Sequence, residues 1–153
     1  MAEEKVVQAR KLLDSQTYGV LSTISVEKAG FPFGSLTPYC LDKNGEVIIL
    51  ISDIAEHTHN IKQDPKVSLT IVEDANTPNI QTRGRITYLG YAQPIAEYEF
   101  DEILELYCRI FPDSRRYFET HGFHFYRIQL HVIRYIGGFG KIYWIEKDEI
   151  LTK

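Results

Sequence analysis

The stretch EVIILISDIAEHTHNIKQDPKVSLTIVE, from Glu46 to Glu73, constrains the fold more than any other part of the chain: it reads as strand, short helix and strand with no slack between them. Val47 to Ile51 is an unbroken, largely β-branched apolar run, the pattern of a strand covered on both faces. Val67, Leu69 and Ile71 alternate with Ser68 and Thr70, as in a strand with one wet face. Between them, Asp53 with Glu56 three residues on matches a capping box. Asp64-Pro65 closes the helix, because the residue before a proline is pushed out of the helical region. The first helical turn then holds Glu56, His57 and Thr58.

The flanking sequence predicts mainly β structure with helices around it. Val6, Val7, Ala9, Leu12 and Leu13 recur by three and four behind Glu3 and Glu4, which predicts an amphipathic helix over 3–15. Tyr18 to Val26 alternates as a strand, and Glu27 to Gly30 turns the chain into a second strand from Phe31 to Leu41. Pro32 and Pro38 remove ladder donors from that strand and point to an edge, a bulge or a ligand alongside. Asp42-Lys43-Asn44-Gly45 is a tight turn into the central stretch. Ile80 to Ala92 reads as a long strand interrupted at Gly84 and Gly90, with Arg83 and Arg85 on one face. Glu97 to Ile110 has helical spacing and Pro112 stops it before a short helical turn at 115–118. Strands over Gly122 to Ile136 and Lys141 to Ile145 follow, divided by Gly137-Gly138. The pattern is that of a small barrel with flanking helices, α+β by class, in a single domain over residues 1–153.

Composition removes several functions. A length of 153 residues suits one domain with a sizeable core. The net charge of −4, with cations scattered along the chain, speaks against a phosphate-backbone binder, so no nucleic acid partner is expected. No apolar stretch approaches the roughly 18 residues of a spanning helix. The start MAEEKVVQARKLL is charged where a secretion signal is apolar, so no membrane partner and a cytoplasmic location are expected. Cys40 and Cys108 lack paired spacing and read as reduced, buried thiols. His57 and His59 fall on different helix faces, and His121 with His124 makes two ligands without a third, in an expected solvated loop, so no protein-held metal site is assigned. Ser, His and Asp are present without a nucleophile elbow to gather them, and catalytic residues stay unassigned.

The order of GVLSTIS, GFPFGSLTPYC, SDIAEHTHNIKQDPKVSLTIV and YRIQLHVIRYIGGFGKIYW resembles the pyridoxamine 5′-phosphate oxidase-like, FMN-binding split-barrel family, and most of all its haem-utilisation branch. The likeness runs from about Leu12 to Trp144. It implies a six-stranded antiparallel split β-barrel that forms a homodimer, with a small planar cofactor, FMN or haem, in the interface cleft. The oxidases hold the flavin phosphate with an arginine and an Arg-Lys pair, and the matching positions here carry Ser35, Glu56 and His57. Glu56 is an anion and an acceptor only, which a flavin phosphate would meet as repulsion. Arg83, Arg85 and Lys141 are the replacements in view. In the haem branch the resemblance implies an iron-ligating histidine beyond the GFG element; no histidine follows Gly140 in this sequence, and His57 is the first candidate instead. Cofactor contacts are expected from Ser35, Thr37, Ser52, His57, Thr58 and Arg85. Haem handling leads; an FMN-dependent oxidoreductase and a non-catalytic dimeric binding module that has lost its cofactor are the alternatives.

Overall fold

The computed structural model describes residues 2–120, 122–138 and 140–152. Helix α1 (Ala2–Ser15) turns Ala9, Leu12 and Leu13 into the core, as their spacing requires. Strands β1 (Tyr18–Ile24), β2 (Pro32–Pro38), β3 (Cys40–Leu41) and β4 (Val47–Ser52) lead to helix α2 (Glu56–Gln63). Strands β5 (Lys66–Val72) and β6 (Arg85–Pro94), helix α3 (Phe100–Ile110), strands β7 (Phe123–Ile136) and β8 (Ile142–Glu146), and one turn of helix α4 (Lys147–Ile150) follow. Tighter 3-10 turns sit at Ile80–Thr82, Glu97–Glu99 and Pro112–Glu119. No helix among the described residues is long and apolar enough to cross a membrane.

The strands pair antiparallel in one eight-stranded sheet, ordered β2-β1-β5-β6-β7-β4-β3, with β8 paired to β7 off that path. The end strands β2 and β3 are separated in sequence by Tyr39 alone. A sheet whose two ends are joined through one residue must curl until they meet, and the right-handed twist of strands lets it do so. Tyr39 is pinned at that corner, 1% exposed, with its N–H on the Thr17 carbonyl at 2.9 Å and its hydroxyl on the Leu13 carbonyl at 2.6 Å. The mainly β class with flanking helices and the curled antiparallel sheet agree with expectation, but the count of six strands is corrected. Among the described residues there are eight segments, or seven with β2 and β3 taken together, because Tyr39 gives its N–H to Thr17 and cuts the expected strand 31–41 in two. The prolines sit as an edge strand allows: β2 ends the sheet order, with Pro32 opposite Ile24 and Pro38 opposite Tyr18 at its two termini.

The apolar run of β4 is covered on both faces. Val47, Ile49 and Ile51 enter the barrel core with Leu69, Ile71, Ile86, Tyr88 and Ile128, while Ile48 packs outside the barrel with Cys40, Phe125 and the α3 residues Ile103 and Tyr107. Both cysteines are free and buried, and burial pushes the Cys40 thiol up to about 12. The expected strand 80–92 is also corrected. Asn79 accepts the Gln81 N–H on its side chain at 3.1 Å and starts a 3-10 turn, so β6 begins only at Arg85 and Arg83 leaves the strand face it was to share.

A β-bulge sits where β6 meets β7: the register steps from Leu89–Val132 to Gly90–Leu130 and leaves His131 as the extra residue. Glu46 Oε2 accepts the Leu130 N–H at 2.8 Å, so the donor stranded by the bulge is satisfied. Gly90 is required there, since a Cβ would lie 2.3 Å from the Gln129 carbonyl oxygen. Arg127, the next outward position but one along β7, is a staple. Its Nε donates to Asp42 Oδ2 at 2.8 Å and its terminal nitrogens to both Glu99 oxygens at 3.1 and 2.6 Å. It thereby joins the 42–45 turn to the start of α3.

Gly90→Ala is expected to lower stability by about 1–3 kcal/mol, read as a fall in the urea midpoint with unchanged slope. An unchanged midpoint would show that the β6–β7 ladder yields freely. Arg127→Leu leaves Asp42 buried beside an apolar side chain and is expected to lower stability by about 3 kcal/mol at pH 7. The hydrogen bond from Arg127 holds the Glu99 carboxyl below its usual range. A depressed pKa contributes stability above the unfolded value, about 4.3, and loses it as pH falls. Urea midpoints between pH 7 and pH 3 should therefore fall less steeply in the variant than in the parent.

Candidate functional site

The site is built on α2 and on the edge strand beside it. The expected capping box is not formed: Ala55, with extended backbone, is the residue ahead of the helix, and no side chain caps it. Asp53 is drawn elsewhere, its N–H to the Gly122 carbonyl at 2.7 Å and its carboxylate to His124 Nε2 at 3.2 Å and Lys62 Nζ at 3.9 Å. The first turn does begin at Glu56. Three residues anchor the helix. The Thr58 hydroxyl donates to the Ser52 carbonyl at 2.5 Å. Asn60, fully buried, donates to Thr23 Oγ1 at 3.0 Å and accepts the Val26 N–H at 2.9 Å. Ile61 fills the barrel core.

His57 stands one helical turn before Asn60 and Ile61, on the side facing the sheet. It is half-buried, and its Nδ1 lies 3.3 Å from Ser35 Oγ on β2. Burial disfavours the charged ring and holds its pKa below the usual histidine value, so the imidazole is neutral at pH 7. Thr37, two residues on along the same face of β2, is buried and donates to the Ser35 carbonyl at 3.2 Å. Ser35, Thr37, Ser52, His57 and Thr58 are thus brought together by hydrogen bonds between β2, β4 and α2.

Arg85 is not part of that cluster. Its guanidinium donates to the Gln81 and Arg83 carbonyls at 3.1 and 3.2 Å and stiffens the 3-10 turn. Arg83 binds the Thr77 carbonyl at 3.2 Å, and its buried Nε has no partner among the described residues. Lys141 lies in the turn between β7 and β8, beside Tyr135 and Tyr143. Among the described residues, no hydrogen bond or ion pair brings a lysine or arginine to Ser35 or His57, and Lys62 on the same helix is turned toward Asp53. Glu56 is exposed at the helix start. The donor set therefore suits a group that seeks a neutral imidazole and hydroxyls, and lacks the cations that a phosphate dianion needs.

Of the other histidines, His59 is exposed, and His131 meets the Tyr91 ring edge-on at 5.9 Å in the bulge. His124 is a residue of β7 bound to Asp53, which corrects the expectation that it lies in a loop, and His121 lies outside the described residues. Among the described residues no three His, Cys, Asp or Glu side chains gather as a metal site. A cavity of about 490 Å³ between β7 and the start of α3, lined by Phe100, Phe123 and His124 among others, shares no residue with the Ser35–His57 cluster. Ser35 and His57 are half-buried, and the strand that carries Ser35 ends the sheet order. The outer face of the β1–β2 pair carries Tyr18, Val20 and Ile24 opposite Pro38, Leu36 and Pro32, with Leu36 74% exposed.

Sequence reasoning missed Asn60, which couples α2 to β1, and the Asp42–Arg127–Glu99 staple. A readable signal existed for Asn60, a polar residue beside Ile61 on the helix face that carries the core contact. None existed for the staple, whose members are 28 and 85 residues apart.

Comparison with known proteins places the chain in a family and a fold. The family described as CREG, beta-barrel matches residues 1–151. The non-canonical heme oxygenase HOZ of Arabidopsis thaliana is 32% identical over 133 residues; the match covers 87% of this chain but only 40% of the length of that protein. Heme oxygenase HutZ of Vibrio cholerae is 26% identical, with 86% of this chain and 76% of that one covered. The solved structure of a heme binding protein from Mycobacterium smegmatis superposes with a TM-score of 0.86 at 24% identity, over 97% of this chain and 59% of the other, which shows a shared fold. The chain belongs to the CREG beta-barrel family and, within the pyridoxamine 5′-phosphate oxidase-like fold, to its haem-utilisation branch.

Proposed function

We propose that this chain is a haem-binding split-barrel protein that works as a homodimer, holding haem in a cleft along the Ser35–His57 edge that a second copy closes. The observation that carries the reading is electrostatic. Where a flavin phosphate would have to be held, the chain presents a neutral imidazole, a serine hydroxyl and the anion Glu56, with no cation bonded to them among the described residues. A phosphate dianion needs charge-assisted donors, whereas a porphyrin needs an apolar wall for its ring and an imidazole for its iron. The relatives named as heme oxygenases and the heme binding protein of the same fold support the same reading.

The residues divide the work. His57 supplies the neutral nitrogen, Ser35 orients its ring, and the carbonyl-bound hydroxyls of Thr37 and Thr58 hold β2 and Ser52 in place around it. Arg85 is spoken for by the 81–83 backbone and is left outside the proposed cleft. Bound haem would bring iron-centred redox chemistry to this edge. The exposed apolar strip of β1 and β2 lies on the sheet face opposite Ser35; it is of the kind that monomers seldom leave uncovered, and a twofold contact would lay it against its own copy along the same β2 edge.

Haemin added to the purified protein is expected to give a saturable Soret change with Kd at roughly micromolar or tighter, whereas FMN at the same concentrations keeps its full fluorescence. Quenching by FMN without a haemin response would favour the FMN-dependent oxidoreductase. No response to either, with the dimer intact, would favour a binding module without cofactor. Light scattering is expected to give twice the 17.7 kDa of one chain. Leu36→Glu, which sets a carboxylate in the centre of the apolar strip, should shift that mass toward the monomer, and an unchanged mass would place any self-association elsewhere.

A further inference from the structure

We infer that His57, through Nε2, is the axial ligand of the haem iron in this chain, with Ser35 as the residue that positions its ring. The inference rests on the haem reading above and adds to it the atom that meets the metal. A histidine that binds a metal through one ring nitrogen almost always gives the proton on the other to a fixed acceptor, which sets the tautomer and the ring plane. Ser35 Oγ stands 3.3 Å from His57 Nδ1 and takes that role in the tautomer that carries its proton on Nδ1. With the proton on Nδ1, Nε2 carries the lone pair.

The other described histidines lack this arrangement. His124 has its Nε2 on Asp53, where an iron would have to displace the carboxylate. His131 sits in the bulge with its ring against Tyr91, on the far ladder between β6 and β7. His59 is exposed, next but one to His57 and therefore turned away from it on the helix. His57 alone among them combines half-burial, a hydrogen-bonded Nδ1 and a backbone fixed by anchors on both sides, Thr58 on Ser52 and Asn60 on Thr23.

The test is spectroscopic and uses haemin and metal-free protoporphyrin IX on the full chain. The parent protein is expected to bind haemin at least tenfold more tightly than the metal-free ring and to show the optical and resonance Raman signature of a histidine-bound iron. His57→Ala should lose that signature and the tenfold preference while still binding both rings through the cleft, and millimolar imidazole should restore the parent Soret band. Ser35→Ala should keep the ligand but move the ferrous iron–histidine stretch to lower frequency, a shift that a merely structural role would not produce. His57→Gln, with circular dichroism and elution volume as controls, separates loss of the ligand from loss of the fold. An unchanged signature in both His57 variants, or equal affinity of the parent for the two rings, overturns the assignment and leaves the haem reading standing. No saturable haemin binding by the parent overturns both.

Discussion

The whole architecture depends on Tyr39. The sheet order places β2 and β3 at its two ends, and the chain passes from one to the other through this residue. A flat sheet cannot satisfy that connection, since six strand spacings of nearly 5 Å would separate its ends. The sheet must therefore close on itself, and the residue at the seam needs partners that are not strand neighbours. It finds them in Thr17 and Leu13, at the end of α1, so the helix that plugs the barrel also fixes its corner. Burial raises the Tyr39 hydroxyl pKa and keeps it a donor throughout the physiological range.

Closure on this scale strands backbone donors, and each one seen here has been met by a side chain from a neighbouring element. Glu46, at the foot of β4, reaches the Leu130 N–H that the bulge leaves free. Asp42 takes the Asn44 and Glu46 N–H groups on one oxygen at 2.9 and 3.0 Å and Arg127 on the other, so one carboxylate caps a turn and pairs a cation. Glu73 takes the Gly84 N–H at 2.6 Å where the chain turns into β6. An unpaired buried donor costs about 1–3 kcal/mol, comparable with the loss of a whole core methyl group or two. These acidic residues thus belong to the fold.

Much of this was legible in the sequence where the signal is periodic. The run Val47 to Ile51 announced a strand buried on both faces, and it does face both hydrophobic clusters. Pro32 and Pro38 left an edge, a bulge or a neighbouring ligand open, and β2 is an edge. What failed was local chemistry competing with pattern. Asp53 has the spacing of a cap but is pulled away by His124, Lys62 and Gly122, all brought in by β7 or the far end of α2. Asn79 starts a turn where the apolar pattern continued a strand, and with that Arg83 and Arg85 lost their common face. The site was half legible: Ser35 and His57 do meet, whereas Arg85, chosen for its charge, is consumed by backbone carbonyls that no sequence pattern places.

The geometry of α2 explains why a neutral nitrogen sits where charge would otherwise be wanted. A short helix with Glu56 in its first turn and no side-chain cap offers an anion nothing beyond its own backbone donors, and the carboxylate offsets their field. Thr58, Asn60 and Ile61 fasten the helix to Ser52, Thr23 and the core, so its remaining inward position, His57, is held against β2 by the anchors and not by its own bond to Ser35. Burial holds the imidazole below its usual pKa, so the position offers a ligand atom that is uncharged and directional. Fold and site rest on a common element: the edge strand β2, held at one end by Tyr39, presents Ser35 from its middle to the helix.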